Sequence, residues 1–332
     1  MPVMACPDFG QPSLFRVAPK RFRESGEKSL MSVPRPVLPG RSYMVTRRCS
    51  ERRFFMPPDA DTTNAFLYCL GYAAARTRVG IIFFIACSNH YHAGLIDHEG
   101  RLPEFLESFH KLFAKHQNAR FGRWENFWAS EQTSVVEIVG PEDILAKAAY
   151  AVSNPVKDNL VASAADWTGA SSLAAHRDGH AFVAFRPRHF FRANGPMPEE
   201  TSFSLTTPPG FEPSGDAHFG ELLMAEIGKV EQAAAQQRRE SGATILGMKA
   251  ILEQPVGGRP SSREPRRQLS PRVACKNTWR RIEALLRNRD FLVAYRAARQ
   301  RFRSGIHVVF PAGSYWLRRF AGVPCEPSPQ HG

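Results

Sequence analysis

The stretch VGIIFFIACSNHYHAGLI, residues 79–96, decides the fold. Its first half, Val79 to Ala86, is β-branched and aromatic and reads as a buried strand. Ser88 and Asn89 make a short turn, and His90 to Ile96 returns as a second strand, giving a hairpin. Side chains two apart on a strand share a face, so His90 and His92 converge while Tyr91 points away. Two convergent neutral imidazoles supply half of a divalent-metal site. On its own the pattern more often marks two polar residues on a strand's wet face, so it needs support from elsewhere in the chain.

Working outward, Tyr43 to Cys49 alternates as a strand does. Asp61 can cap a helix running to about Thr77. Beyond the hairpin, Phe105, Leu106, Phe109, Leu112 and Phe113 recur at helical spacing and predict a helix over 103–118. Thr133 to Val139 is another strand. Pro141, Glu142 and Asp143 open a helix that stops before Pro155. The order β-α-β-β-α-β-α predicts an α+β class: a split, ferredoxin-like antiparallel sheet with helices on one face, spanning residues 41–173.

The flanks read differently. Residues 1–40 carry scattered Pro, Gly and Ser and are expected to be a flexible extension, with Met31 a second candidate start. Residues 174–216 are expected to be a linker or loop region, rich in Pro, Gly and Ser from 194. Residues 217–332 are expected to be basic and mainly helical, with helices over 221–239 and 277–303. No apolar run approaches the roughly 20 residues that span a bilayer, so no membrane partner is expected. The N-terminus lacks an apolar signal core, which implies a cytoplasmic protein. The six cysteines form no CxxC pair, which argues against a disulfide framework and a cysteine-rich zinc site.

The net charge is +13, and it is concentrated. Residues 256–332 hold sixteen Lys and Arg against four acids, so nearly all the excess lies in the last quarter. Such a surface attracts phosphate backbones, although an Arg-rich proteome would produce the same number. The segment 311–320, PAGSYWLRRF, suits base stacking and phosphate contact, or equally an aromatic strip packed on the core with its arginines in solvent. Arg47, Arg48, Arg280, Arg281, Arg318 and Arg319 are the candidate DNA contacts.

Tyr150 and Asn154 are four apart and share a helix face. They could present a nucleophile and a third metal ligand side by side. They also fit a core tyrosine and a C-terminal cap before Pro155.

Three blocks in order resemble the REP-associated tyrosine transposases of the HUH (His-hydrophobic-His) superfamily. They are YMVTRR at 43–48, SNHYH at 88–92, and YAVSNPVK at 150–157, the last running on to Asn159, Leu160 and Val161. The resemblance covers about residues 31–173 and implies the HUH nuclease fold. It implies that His90, His92 and Asn154 ligate Mg2+ or Mn2+, and that Tyr150 is the nucleophile. The implied activity is a single-strand DNA endonuclease and strand transferase that works through a 5′-phosphotyrosine, with single-stranded or hairpin DNA as partner. Insertion-sequence relatives are dimers that exchange tyrosines and REP-associated relatives can be monomers, so a homodimer is one of two expected states. Ser88, Ala93, Gly94, residues 157–159 and the stretch 127–132 depart from the family pattern.

Two other readings compete. The same fold could grip a nucleic-acid hairpin without cutting it. Alternatively, His90, His92 and Asp97 or His98 could bind the zinc of a metallohydrolase, although their spacing does not fit the usual His-x-His-x-Asp-His run.

Overall fold

The computed structural model describes residues 34–212, 215–261 and 271–328. The expected core elements are all present: β1 (Arg41–Arg48), α1 (Ala60–Thr77), β2 (Val79–Ala86), β3 (His90–Asp97), α2 (Leu102–Arg120), β4 (Ser134–Ile138) and α3 (Pro141–Val152). β1 lies in the middle, antiparallel to both β3 and β4, and β2 completes the hairpin with β3. The class is α+β.

Alternation along the strands divides the sheet into two apolar faces. Tyr43, Val45, Phe84, Tyr91, Ala93 and Leu95 meet α1 and α2, where Phe66 is packed edge-on against Phe109 and Phe113. These are the two helices of the split layer. Met44, Ile82, Phe83, Ile85 and Ile96 form the opposite face, which is covered by Ile144, Ala148, Ala151 and Val152 of α3. Gly94 belongs to that second face. A Cβ there would come within 2.1 Å of the Phe83 ring, which explains the absence of a larger apolar residue after the histidines.

Three expectations change. The cap of α1 is Asp59, whose Oδ1 accepts from the Thr62 amide at 2.8 Å; Asp61 falls within the first turn. Arg120 pairs with Asp59 at 2.8 Å and pins that end to α2. Residues 1–33 of the expected extension lie outside the described residues, but 34–40 are held against the body. Leu38 is buried, and the Val37 amide donates to Gly313 O at 3.1 Å.

The expected linker is built into the fold. After α4 (Asn154–Lys157) and α5 (Leu173–Asp178), β5 (Phe182–Phe185) and β6 (Glu200–Phe203) form a hairpin packed on α1. Phe182 is stacked on Phe203 at 5.0 Å and meets Phe84 of β2 at 5.1 Å. Helix α6 (Gly215–Ser241) then lays Phe219, Leu223 and Ile227 over the second face, against α3, α4 and α5.

The C-terminal region is mainly helical, as expected, with α7 (Met248–Leu252), α8 (Thr278–Arg303) and α9 (Tyr315–Phe320). It also adds a fifth strand, β7 (Val273–Ala274), parallel to β4 at the sheet edge. No helix among the described residues is long and apolar enough to cross a membrane.

Two histidines buried in this fold predict its acid limit. Burial lowers His116 and His176 to about 4. An unfolded histidine titrates near 6.5, so below that pH the unfolded chain binds protons that the folded one refuses. Stability is therefore complete above about pH 6.5 and falls by about 1.4 kcal/mol per pH unit for each histidine down to about pH 4. Denaturant midpoints measured from pH 7 to pH 4.5 should fall steadily. A flat profile would show that neither imidazole is kept neutral by the fold.

Candidate metal and tyrosine site

His90 and His92 lie side by side on the second face of β3, with ring centroids 4.9 Å apart. Each ring has its Nδ1 occupied by a neighbour. Asn89 donates its amide nitrogen to Arg52 O at 3.2 Å, which turns its Oδ1 toward His90 Nδ1 at 2.7 Å. A carboxamide oxygen only accepts, so His90 carries its proton on Nδ1 and its lone pair on Nε2. Thr46, the cross-strand partner of His92, holds His92 Nδ1 at 2.7 Å through its hydroxyl. Burial holds the His92 pKa well below the ordinary histidine value, helped by the charges of His90, Arg48, Lys157 and Lys147. Both imidazoles are thus oriented from behind by partners on their Nδ1 atoms, as metal-bound histidines require.

Tyr150 stands on the last turn of α3, 46% exposed, with its ring edge-on to His92 at 5.9 Å. The alternative of a core tyrosine fails on that exposure. Asn154 does not continue α3. The helix ends at Val152, Ser153 turns the chain, and Asn154 opens α4. Its side chain is nonetheless buried, and its Oδ1 accepts from the Cys87 thiol at 3.4 Å. Burial pushes that thiol far up, so it stays protonated and can donate. The Cys87 amide in turn donates to His90 O at 2.8 Å, which places Asn154 at the histidine end of the hairpin.

Asp97 takes no part. It falls on the opposite face of β3, fully buried, and its carboxylate accepts from the Arg101 and Leu102 amides at 2.7 and 2.9 Å. It starts α2, so the His-His-Asp zinc arrangement does not form. No group of three His, Cys, Asp or Glu among the described residues could hold a metal. The second face of β3 offers two imidazoles, and the Asn154 carboxamide lies beside Cys87 at the same end of the hairpin.

The candidate DNA contacts separate. Arg48 is exposed and lies on the histidine face, but Arg47 does not. Arg47 points into the first face, where it donates to His110 Nδ1 at 2.5 Å and lies 5.3 Å over the Trp128 ring. Because a guanidinium cannot accept, neutral His110 carries its proton on Nε2 and donates it to the Tyr91 hydroxyl at 2.5 Å. Arg47 is therefore an internal tie rather than a surface contact.

On the C-terminal helices, Arg281 and Arg318 are exposed. Arg280 lies 3.8 Å from Glu142, and Arg319 lies 3.5 Å from Glu104. Trp316 and Phe320 are stacked at 4.7 Å and more than half exposed, whereas Tyr315 of the same strip is buried.

Sequence reading missed Thr46, Asn89, Lys147 and Lys157 as parts of the site. Two of them were within reach. Positions 147, 150, 154 and 157 recur at 3-4-3 spacing, which is one helical face. Lys157 Nζ lies 4.0 Å over the Tyr150 ring and Lys147 Nζ lies 5.9 Å from it.

No family model matches this sequence, and no curated protein matches it. Among solved structures, the chain is similar to a REP-associated tyrosine transposase bound to a REP hairpin. The identity is 15%, the coverage is 44% of this chain and 85% of that one, and the TM-score is 0.38. It is also similar to a candidate transposase from Deinococcus radiodurans R1, at 12% identity over 40% of this chain and 97% of that one, with a TM-score of 0.27. At these values both likenesses are descriptive, and function has to be argued from the residues of the site.

Proposed function

We propose that this protein cuts and rejoins single-stranded DNA at hairpin-associated sites through a 5′-phosphotyrosine intermediate, as the resemblance to REP-associated tyrosine transposases implies. The observation that supports it most is the placement of a half-exposed tyrosine edge-on to a pair of imidazoles whose Nδ1 atoms are both engaged from behind. His90, His92 and Asn154 would hold Mg2+ or Mn2+. The bound ion would polarise a phosphoryl oxygen, so that a phenol suffices as nucleophile.

The chain's own groups do the rest. The Tyr150 hydroxyl attacks phosphorus and gives up its proton. The Tyr150 O–P bond forms, the P–O3′ bond breaks, and the departing oxygen is protonated to a 3′-hydroxyl. The bond energy is kept in the phosphotyrosine, so the reverse attack by a 3′-hydroxyl rejoins strands without ATP. The exposed arginines of α8 and α9 and the open Trp316 and Phe320 suit contact with the strand that flanks the cut.

The test is incubation with a DNA hairpin carrying single-stranded flanks and Mg2+ or Mn2+, followed by a denaturing gel. A covalent protein–DNA adduct is expected. Hairpin binding without an adduct would favour the non-catalytic reading. His90→Ala and His92→Ala should each lose metal-dependent adduct formation. His90 is only half-buried, so its truncation should leave the metal-free melting temperature nearly unchanged. A variant that melts many degrees lower without metal would mark its histidine as a fold element instead.

A further inference from the structure

The face that carries Tyr150 also carries two lysines that the proposed reaction has not used. Lys157 is exposed, and its ammonium rests on the Tyr150 ring at 4.0 Å, with Nζ 3.5 Å from the Tyr150 carbonyl oxygen. Lys147, one turn before the tyrosine, brings a second ammonium to 5.9 Å from the same ring. The charges of both, and of Arg48 on the same face of the sheet, also bear on His92. An ammonium above a tyrosine face is attracted by the ring quadrupole. A phosphate oxyanion in the same partly desolvated position would attract it more strongly. Desolvation by the groups around it lowers the Lys157 pKa from the ordinary lysine value.

We propose that Lys157, assisted by Lys147, seats the scissile phosphodiester of single-stranded DNA at the Tyr150 hydroxyl. This deepens the proposed function and rests on Tyr150 being the nucleophile there. In the resting protein the ring holds the ammonium. When a strand enters, the flexible end of Lys157 moves from the ring to a non-bridging phosphate oxygen, which stays in contact as charge develops during attack. Lys157 is then a catalytic residue in the sense that it touches the reacting group. Lys147 is placed to neutralise the phosphate from the other side of the helix turn. Lys147 and Tyr150 share the last turns of α3, and α4 brings Lys157 back onto the Tyr150 ring, so two short helices deliver the tyrosine and its two cations together.

The test compares Lys157→Met, Lys157→Arg and Lys147→Met in the full chain. Two readouts are used: the single-turnover rate of adduct formation on the hairpin with single-stranded flanks, and the salt dependence of affinity for the same DNA. Removing one donor to a developing oxyanion costs on the order of 10²-fold in rate. Lys157→Met should lose that much and shed about one unit of salt slope. Lys157→Arg should recover most of both, because a cation is what the site needs. Unchanged rate and slope in Lys157→Met would overturn the proposal. The salt slope is also measured in Tyr150→Phe, where no adduct can form if the nucleophile is correctly assigned. A Lys157-dependent slope alongside an adduct that survives Tyr150→Phe would sink the nucleophile assignment and keep the phosphate seat. An abolished adduct with no Lys157 effect on rate or slope would do the reverse.

Discussion

Tyr150→Phe should abolish the covalent adduct while leaving hairpin affinity within a few-fold of the unmodified protein. The substitution removes one oxygen. The ring keeps its edge contact with His92 and its place beneath Lys157, so neither the fold nor the phosphate-facing charge should change. Affinity for DNA rests on cations and stacking surfaces that the variant retains. Chemistry does not survive, because the site offers no second nucleophile of the same kind. Tyr91 is fully buried on the other face of the sheet, and Tyr43 is buried there too. Loss of a nucleophile costs on the order of 10⁴-fold or more in rate. Cleavage at an undiminished rate without an adduct would point to attack by water and would remove Tyr150 from the mechanism.

The second large effect concerns where the catalytic unit ends. A fragment cut after Ser172 should fail to fold, although it contains His90, His92, Tyr150 and Asn154. It lacks Phe182 and Ala184, which pack on the first face, and Phe219, Leu223 and Ile227, which cover the second. At about 2 kcal/mol for each of the four large side chains, the loss is on the order of 8 kcal/mol. That is comparable with the whole stability of an ordinary domain. Cutting after Ser261 keeps both covers and removes α8 and α9 with their arginines. This longer fragment should unfold cooperatively and show a shallower salt dependence of DNA affinity. Cooperative thermal unfolding of the shorter fragment, followed by circular dichroism, would refute the assignment of 174–241 to the catalytic body.

The reason that boundary was hard to read lies in particular residues. The core elements were legible because each carries a sustained period. Val79–Ala86 is a continuous apolar run, and 105–113 repeats at helical spacing, so both matched the structure closely. β5 and β6 have four residues each and stand fourteen residues apart, too short for alternation to rise above chance. Their strand character comes from tertiary contact, as Phe182 fills a gap between Phe84 and Phe203. β7 has two residues and exists only because β4 offers it an edge.

The histidine pair, the tyrosine and the order of the blocks were also legible. Arg47 was misplaced for an avoidable reason. Tyr43 and Val45 point into the first core, so alternation puts Arg47 with them and leaves Thr46 and Arg48 beside the histidines. The Thr46 contact and the Asn89 contact could not be read, since they depend on a cross-strand register and a turn geometry that only the folded chain fixes.

The buried chain from Arg47 through His110 to Tyr91 has a bearing on error-proofing. A hairpin strand can slip against its neighbour by one residue with little loss of backbone pairing, and such a slip exchanges its two faces. In β3 it would turn both imidazoles into the phenylalanine-rich core and bring Tyr91 out among the cations. Apolar residues on both faces make the sheet tolerant of that mistake, because each side would still find grease to bury. The hydroxyl of Tyr91 has one matched donor, the Nε2–H of His110, and that proton is fixed there by Arg47 on the adjacent strand. The native register is the one that joins all three groups. In a slipped register a buried guanidinium and a phenol would lose their partners, at a cost of several kcal/mol. The polar stitch on the back of the strand therefore decides which side of the strand carries the two imidazoles.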